Sequence, residues 1–599
     1  MEQNEADIPP ADNKRITSSS SSAYLLKSAG PPPRKSKSKD NSSFRNILED
    51  LIPADAKPPS SGGTTASESM QSAISSDAAK GPSSGSFARI LDEVLSFLMS
   101  LQATGAILSL IILFTFGIQT GGPAVMVWGW LGATILAAIV VSNLAEIASA
   151  YPRTPGSAYF WAGQLCPREY YTIVSYWTGV FIVVAYMGYA TSYAYGFAVL
   201  IDAAMSYSGL GALTEVMEVS IAVAALAVWA LLSYFRIDYA DWVAHLSAFL
   251  QISVAIVIIM AVTITARKYN TGKYVFETVV ENEHGFPQIN FVLAISVISQ
   301  FYSLSEFTAK KGAIHVFDDE AHPVTEFVSA SMGLINTGIV TGLLGFGLLL
   351  ALLFTMETQE SSLASENGVL EILQHTAGEV ATMVLGWYVV IAAFFAGLSF
   401  APVAIKLIHT LAKDGFFPYS GFFEKLDERT YAANATLLFF FLAAIILALD
   451  VVEDLDGNGQ IFYSILQTTN FAFQVSFGIP ILLKVTRPCP FAVDALQKAT
   501  FYMGNWSFGM GCVAAFFLFS TAVMLNVPTM YPVTAESMNY TSVVVVVIVL
   551  LGWLNWEFNA KFEFKGPKRT DDDIDHQYYT ALYGGEDEGS EVADRWQVF

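Results

Sequence analysis

Apolar residues in this chain fall into blocks of about twenty, the length a helix needs to cross the hydrocarbon core of a bilayer. Twelve such blocks lie near residues 95–118, 123–145, 171–202, 217–235, 241–265, 289–307, 325–355, 379–409, 431–450, 460–484, 508–527 and 541–558. The second is the most informative. Its apolar run ends at Leu144, meets a carboxylate at Glu146, and gives way to a Pro/Gly-broken stretch from Pro152 to Gly156. Three aromatics follow, Tyr159, Phe160 and Trp161. Broken, polar backbone beside a span is tolerated only where it is buried in protein or lines a cavity. The pattern therefore predicts a span, a carboxylate at its inner mouth and a connection into the third span. Two blocks are interrupted: the first begins weakly and contains Thr104–Gly105, and the sixth runs into charges.

The polar segments between blocks set an orientation. Arg153, Arg168, Arg236, Lys413, Lys425, Arg429, Lys484, Arg487, Lys561, Lys565, Lys568 and Arg569 all fall on one side if both termini are cytoplasmic, as the excess of Lys and Arg on cytoplasmic loops requires. The opposite loops are acidic or uncharged, apart from Arg267, Lys268 and Lys273. The sequon Asn539-Tyr540-Thr541 falls on the outer side, close to span twelve. Composition agrees: mean hydropathy is +0.47, and charged residues are 14%, about half the usual share. The net charge of −22 argues against nucleic-acid binding, which needs a basic face. Three scattered cysteines, Cys166, Cys489 and Cys512, give neither a zinc spacing nor a disulfide framework, so free thiols are expected. Residues 1–90 are polar, rich in Ser, Pro and Lys, and lack an apolar signal segment; they are expected to form a disordered cytoplasmic tail. Residues 561–599 form an acidic second tail.

Ionisable groups near spans are expensive and mark function. They concentrate around span six: Glu306, Lys310, Lys311, His315, Asp318, Asp319 and Glu320. Glu306 and Lys310 would pair at i, i+4 on a helix, and Gly312 would break it. The competing reading ends span six at Phe307 and places these charges in a cytoplasmic loop. Tyr186, Tyr189 and Tyr193 share one face of span three, as core packing or as a substrate-facing stripe. His245 in span five reads as a core histidine. Asp454 to Gln460 imitates the start of a calcium loop, but the twelfth position is Ile465 where a bidentate Glu is needed, so a turn is expected and no metal site. No phosphate-binding loop, metalloprotease or nucleophile motif is present, so neither enzymatic activity nor a cofactor is expected.

Four ordered segments resemble one family. Gly121-Gly122-Pro123 with Val127 to Trp130 and Ala145 to Pro152 looks like the second span of eukaryotic GABA permeases and amino acid/choline transporters, in the amino acid–polyamine–organocation (APC) superfamily. Lys406 to Ser420, with Lys413-Asp414-Gly415 where Arg-Asp-Gly is usual, resembles the family's loop after span eight. Phe473 to Lys484 resembles the end of span ten, and Pro528 to Tyr540 the stretch before span twelve. The resemblance covers about residues 95–555. It implies an all-α polytopic fold of twelve transmembrane helices within residues 91–560: two inverted five-helix repeats, about 95–265 and 289–484, with extra helices at 508–558.

The resemblance also implies a substrate seat near the midplane, between unwound parts of spans one and six, where helix ends and free carbonyls meet a substrate's carboxylate and amine. Candidate substrate-binding residues are then Thr104, Gly105, Ser109, Tyr186, Tyr189, Ser305, Thr308, Lys311 and Gly312. Candidate coupling or gating residues are Glu146, Glu306, His315 and Asp318. One departure stands out. The family's Gly-aromatic-Asp of span six is missing, and its Asp position holds Thr308 or Lys311 according to the side from which the alignment runs. A cavity-facing lysine would favour an anionic substrate.

The function expected is secondary transport of amino acids or related nitrogen compounds (GABA, choline or polyamine-like) by alternating access, coupled to protons or sodium, with protons preferred. The membrane expected is the plasma membrane, with vacuolar or organellar membranes as alternatives. A nutrient receptor signalling through the two cytoplasmic tails is the alternative function.

Overall fold

The computed structural model describes residues 106–119, 122–151, 158–235, 241–279, 325–356, 367–425, 432–454, 460–487, 489–499, 501–527, 533–534 and 538–569. All regular structure among them is helical. The chain enters with α1 (Ala106–Gln119), α2 (Pro123–Ala150), a short α3 (Ala158–Leu165), α4 (Tyr171–Tyr207), α5 (Glu215–Tyr234), α6 (Asp241–Thr265) and a one-turn-plus α7 (Gly272–Glu277). It continues through α8 (Thr325–Thr355), α9 (Gly368–Ala377), α10 (Glu379–Lys413), α11 (Ser420–Phe423), α12 (Ala433–Asp454), α13 (Gln460–Thr486), α14 (Pro490–Lys498), α15 (Trp506–Met524) and α16 (Thr541–Asn555). A π turn (Trp556–Ala560) and α17 (Lys561–Glu563) close it. Eight of the described helices are long and apolar enough to cross a membrane.

Eleven of the twelve expected spans coincide with a described helix. The sixth, 289–307, lies outside the described residues, as do the tail 1–90 and the acidic residues after Arg569. Several helices overrun their apolar blocks: α2 continues to Ala150, α4 to Tyr207, α10 to Lys413 and α12 to Asp454. A helix does not stop where hydrophobicity stops; it stops where its backbone finds a cap. Gly122, at φ 81°, and Pro123 in the first turn start α2 sharply, since proline is pre-set for helix and lacks a donor that would be orphaned there.

Three helices fill the middle. The 37-residue α4 and the 35-residue α10 pack along each other, and α13 packs against α4 and α15. Their length exceeds what a bilayer requires, which is accommodated by tilt or by projection beyond it. Outer helices show the opposite character. Phe249, Ile256, Met260 and Ile264 of α6 and Val546, Leu550 and Leu551 of α16 are exposed, as residues against lipid tails should be. By contrast, α13 carries a buried polar set: Gln467, Thr468, Thr469, Asn470, Gln474 and Ser476. Polar groups in a bilayer face inward and bond across helices. Gln474 accepts from Thr521 Oγ1 of α15 at 2.9 Å, and Gln467 from Thr541 Oγ1 of α16 at 2.9 Å.

Two observations define the crossing directions. The Asn270 side chain, just beyond α6, donates to the carbonyls of Leu353 at 2.9 Å and Met356 at 2.6 Å, at the end of α8. So α6 and α8 end at the same face and run parallel, the relation that spans five and seven must have. At the other face the ends of α2, α10, α13 and α16 meet the starts of α4 and α15 through the contacts described next. These are the ends that the basic loops assign to one side.

The sequon asparagine is engaged by the fold. Asn539 is buried, and its side-chain amide donates to the carbonyls of Leu525 at 2.8 Å and Val527 at 3.0 Å. That nitrogen, the atom a glycan would need, is committed to joining α15 to α16.

Candidate functional site

Glu146 lies one turn before the end of α2 and is fully buried. Its Oε2 accepts from the Lys484 ammonium, at the end of α13, and from Ser507 Oγ at the start of α15 at 3.0 Å. Lys484 also donates to Asn143 Oδ1, one turn back on α2, at 2.7 Å. Glu146 Oε1 has no hydrogen-bond partner among the described residues. Three helices thus converge on one buried charge pair. Ser149 adds a further tie from α2, donating to the Phe501 carbonyl at 2.9 Å. Such a pair contributes little to stability, because desolvation of both charges offsets their attraction, yet removing either partner alone is strongly destabilising. It is a linkage whose strength depends on the charge of its members. Lys484 and Asn143 were not singled out in the sequence. The available signal was a lysine on the last turn of an apolar run, on the same predicted side as an unpaired glutamate.

The tyrosine stripe of α4 divides. Tyr186 and Tyr189 are fully buried. Tyr186 packs against Phe400 of α10 and Phe473 of α13, with ring centroids at 5.6 and 5.7 Å; Tyr189 meets Phe400 at 4.6 Å and Tyr193 at 4.9 Å. Ring separations in this range are favourable packing, so the stripe joins the three central helices. The Tyr186 hydroxyl nonetheless has no partner among the described residues, and neither does Thr468 Oγ1 on α13. Ser109 is buried in α1. In α6, His245 Nε2 is buried without a partner among the described residues, which departs from the expectation of a satisfied core histidine.

Thr104, Gly105, Ser305, Glu306, Thr308, Lys310, Lys311, Gly312, His315 and Asp318 lie outside the described residues. Asp454 is the last residue of α12, and the rest of the calcium-like stretch up to Gln460 lies outside them. Among the described residues no group of His, Cys, Asp and Glu could hold a metal ion, and all three cysteines are free.

At the same end as Glu146 a second polar centre joins the 2–3 and 8–9 connections. The Tyr159 hydroxyl of α3 donates to Asp414 Oδ2, just past α10, at 2.7 Å. Burial pushes the Asp414 carboxyl up to about 6, against the opposing pull of the Tyr159 hydrogen bond and the nearby Lys413 charge. Burial and the adjacent carboxylate hold the Tyr159 hydroxyl well above its ordinary value, so it remains the donor. Gly415 adopts φ +82°, and a Cβ there would collide with the Glu563 carbonyl. That explains the Lys413-Asp414-Gly415 signature locally: the acid takes the tyrosine and the glycine admits the C-terminal backbone.

The chain matches the amino acid permease family over residues 95–550. It is 24% identical over 501 residues to the amino-acid permease BAT1 of Arabidopsis thaliana, covering 80% of this chain and 93% of that protein. It is 25% identical over 502 residues to the BAT1 homologue of Oryza sativa subsp. japonica, covering 80% and 92%. To the choline transporter of Saccharomyces cerevisiae it is 24% identical over 459 residues, covering 75% and 77%. With a match over most of its length and a helical membrane bundle that carries the family's span-two, span-eight and span-ten features in place, this chain belongs to the amino acid permease family of the APC superfamily, multi-pass membrane transporters of small molecules.

Proposed function

We propose that this permease carries amino acids or closely related small nitrogen compounds across the plasma membrane by alternating access, coupled to protons, with both termini in the cytoplasm. The observation that carries the reading is the family match over the whole helical bundle, whose relatives are named as amino-acid permeases and a choline transporter. The residues proposed to bind the substrate are Thr104, Gly105, Ser109, Tyr186, Tyr189, Ser305, Thr308, Lys311 and Gly312. The Tyr186 hydroxyl, without a partner among the described residues, supports that assignment, because a buried hydroxyl left unmade is costly unless something meets it. Of the two residues that can stand at the missing acid, Thr308 and Lys311, the lysine would favour a substrate with net negative character, such as a dicarboxylic amino acid, over choline or a polyamine.

Glu146 is the proposed coupling group, with Glu306, His315 and Asp318 as the other candidates. Its buried carboxylate has one oxygen free among the described residues, and protonation would weaken its hold on Lys484 and so loosen α2 from α13. The test is uptake by the purified protein in liposomes of labelled amino acids, GABA, choline and polyamines, with and without an imposed proton gradient. Accumulation of an amino acid that depends on the gradient is expected, with Glu146→Gln losing gradient-driven accumulation while still exchanging substrate. Gradient-independent accumulation by the unaltered protein would overturn proton coupling, and unchanged selectivity in Lys310→Ala and Lys311→Ala would overturn the role of the lysines. Transport of none of these compounds would leave the receptor reading as the better one.

A further inference from the structure

Beyond the last span, the described residues stay on the bundle. After α16, the π turn and α17, residues 563–569 run across the ends of other helices and are pinned there by a series of bonds. The Lys565 amide donates to the Asp414 carbonyl at 3.0 Å. The Tyr171 hydroxyl, at the start of α4, donates to the Lys565 carbonyl at 3.0 Å, and the Gln164 amide of α3 donates to the Lys568 carbonyl at 2.9 Å. Arg569 is 3% exposed. Its guanidinium donates to the carbonyls of Gly163 at 3.1 Å and Cys166 at 2.8 Å and lies over the Tyr171 ring at 5.6 Å. A cation on the terminal carbonyls of a helix is a favourable C-terminal cap.

The segment also fits sterically. Phe564 is buried against Tyr159, Tyr176 and Phe416. Gly566, at φ +74°, passes over the Tyr171 ring, and Pro567 packs so close to Gly163 that a Cβ on that glycine would stand 2.6 Å from the proline ring. Between these buried anchors Lys565 and Lys568 remain exposed. The segment has no regular structure after Glu563, so it is retained by these side-chain and backbone bonds and by the packing of Phe564 and Pro567. Each ordinary hydrogen bond contributes only about 0.5–1.5 kcal/mol net. The next residues in sequence include Asp571, Asp572, Asp573 and Asp575, a charged handle directly adjoining the buried arginine.

We propose that residues 563–569 are a releasable strap that holds the 2–3 and 8–9 connections together at the inner end of the bundle, with Arg569 as its catch. This rests on the transporter reading above: opening of that end during a transport cycle requires the elements the strap ties to separate. While it is seated, Arg569 holds the Cys166 carbonyl and lies 4.0 Å from the Cys489 sulfur, and both thiols are buried. Burial pushes the Cys166 thiol up to about 11, outweighing the neighbouring Arg569 charge that pulls it down, so it is unreactive until uncovered.

Those thiols supply a readout that needs no substrate. The full-length protein carrying Cys512→Ser is placed in liposomes and reacted with a membrane-impermeant maleimide reaching the strap side, with and without Arg569→Ala. Labelling of Cys166 is expected to rise roughly tenfold or more in the variant, because reaction tracks the open population and the opening equilibrium has lost charge-assisted bonds. The second arm joins strap to seat: Gly163→Cys with Pro567→Cys in protein whose native cysteines are all serine. Amino-acid uptake is expected to fall by roughly nine-tenths when the bridge forms, since a tethered gate cannot cycle, and to return on reduction. Uptake at the level of the unbridged protein both before and after reduction overturns the proposal, as does unchanged Cys166 labelling in Arg569→Ala. If the bridged protein misfolds, reduction does not restore uptake and the labelling arm decides. If the unaltered protein carries none of the amino acids offered, the transport reading fails, while labelling still reports whether the strap opens.

Discussion

Glu146 and Lys484 show how one pair of residues can be visible in a sequence as singletons and acquire meaning only together. Each is an ionisable group at the end of an apolar run, 338 positions apart in the chain. Because the pair is buried, Lys484→Met or Glu146→Gln alone should destabilise the purified protein by about 3–5 kcal/mol, while the double substitution should recover much of that loss. Thermal unfolding of the four proteins as a double-mutant cycle checks this; additive losses would mean the two charges do not act as a pair. Asp414 gives a second prediction at this scale. Its carboxyl is raised to about 6, above the unfolded value of about 3.9. The folded state therefore binds the proton more tightly, and this group's stabilising contribution is complete below the unfolded value and lost as pH rises through about 6. Stability should fall between pH 4 and about 6 from this group, and Asp414→Asn should flatten that part of the pH profile. An unaltered profile in the variant would assign the titration elsewhere.

At the scale of the element, the apolar blocks located the long helices, since burial in a bilayer demands both length and continuity. They were blind to α3, α7, α9, α11 and α14, which are short and owe their existence to local caps and to what they pack on. The Asn367 side chain, for example, accepts from the amides of Val369 and Leu370 to start α9, and the fully buried α3 is seated among α4, α13 and the strap. The junction between α15 and α16 yields a test. Because the Asn539 amide is spent on the Leu525 and Val527 carbonyls, the protein expressed in a glycosylating host should show no mobility change on endoglycosidase treatment that is lost in Asn539→Gln. Gly415 is the corresponding test at the end of α10. Gly415→Ala must accept a positive φ and a clash with the Glu563 backbone. It should cost at least about 1–2 kcal/mol, read as a lowered unfolding temperature. It should also uncover Cys166 to maleimide.

The whole molecule is the scale at which the proposed orientation is tested. Tyr419, 86% exposed just after α10, and Tyr269, 54% exposed just after α6, lie at opposite ends of the bundle. In the proposed topology, cysteines introduced there into cysteine-free protein should label from opposite sides of a sealed membrane, position 419 from the cytoplasm. Labelling of both from one side would overturn the topology. Much of this was legible in the sequence alone: that the chain is a helical membrane protein, where most of its long apolar helices lie, which helix ends share a face, and which family it belongs to. These follow from properties that act locally or add along the chain, such as the length of an apolar run, the side on which arginine and lysine accumulate, and the order of short motifs. The tertiary structure alone decided that Glu146 has Lys484 and Ser507 as partners, that the Asn539 amide is occupied, that Tyr186 and Tyr189 interlock with Phe400 and Phe473, and that Arg569 reaches back to the carbonyls of α3. Each of these depends on groups tens to hundreds of residues apart, and no local pattern encodes a distance that only the packing of helices creates.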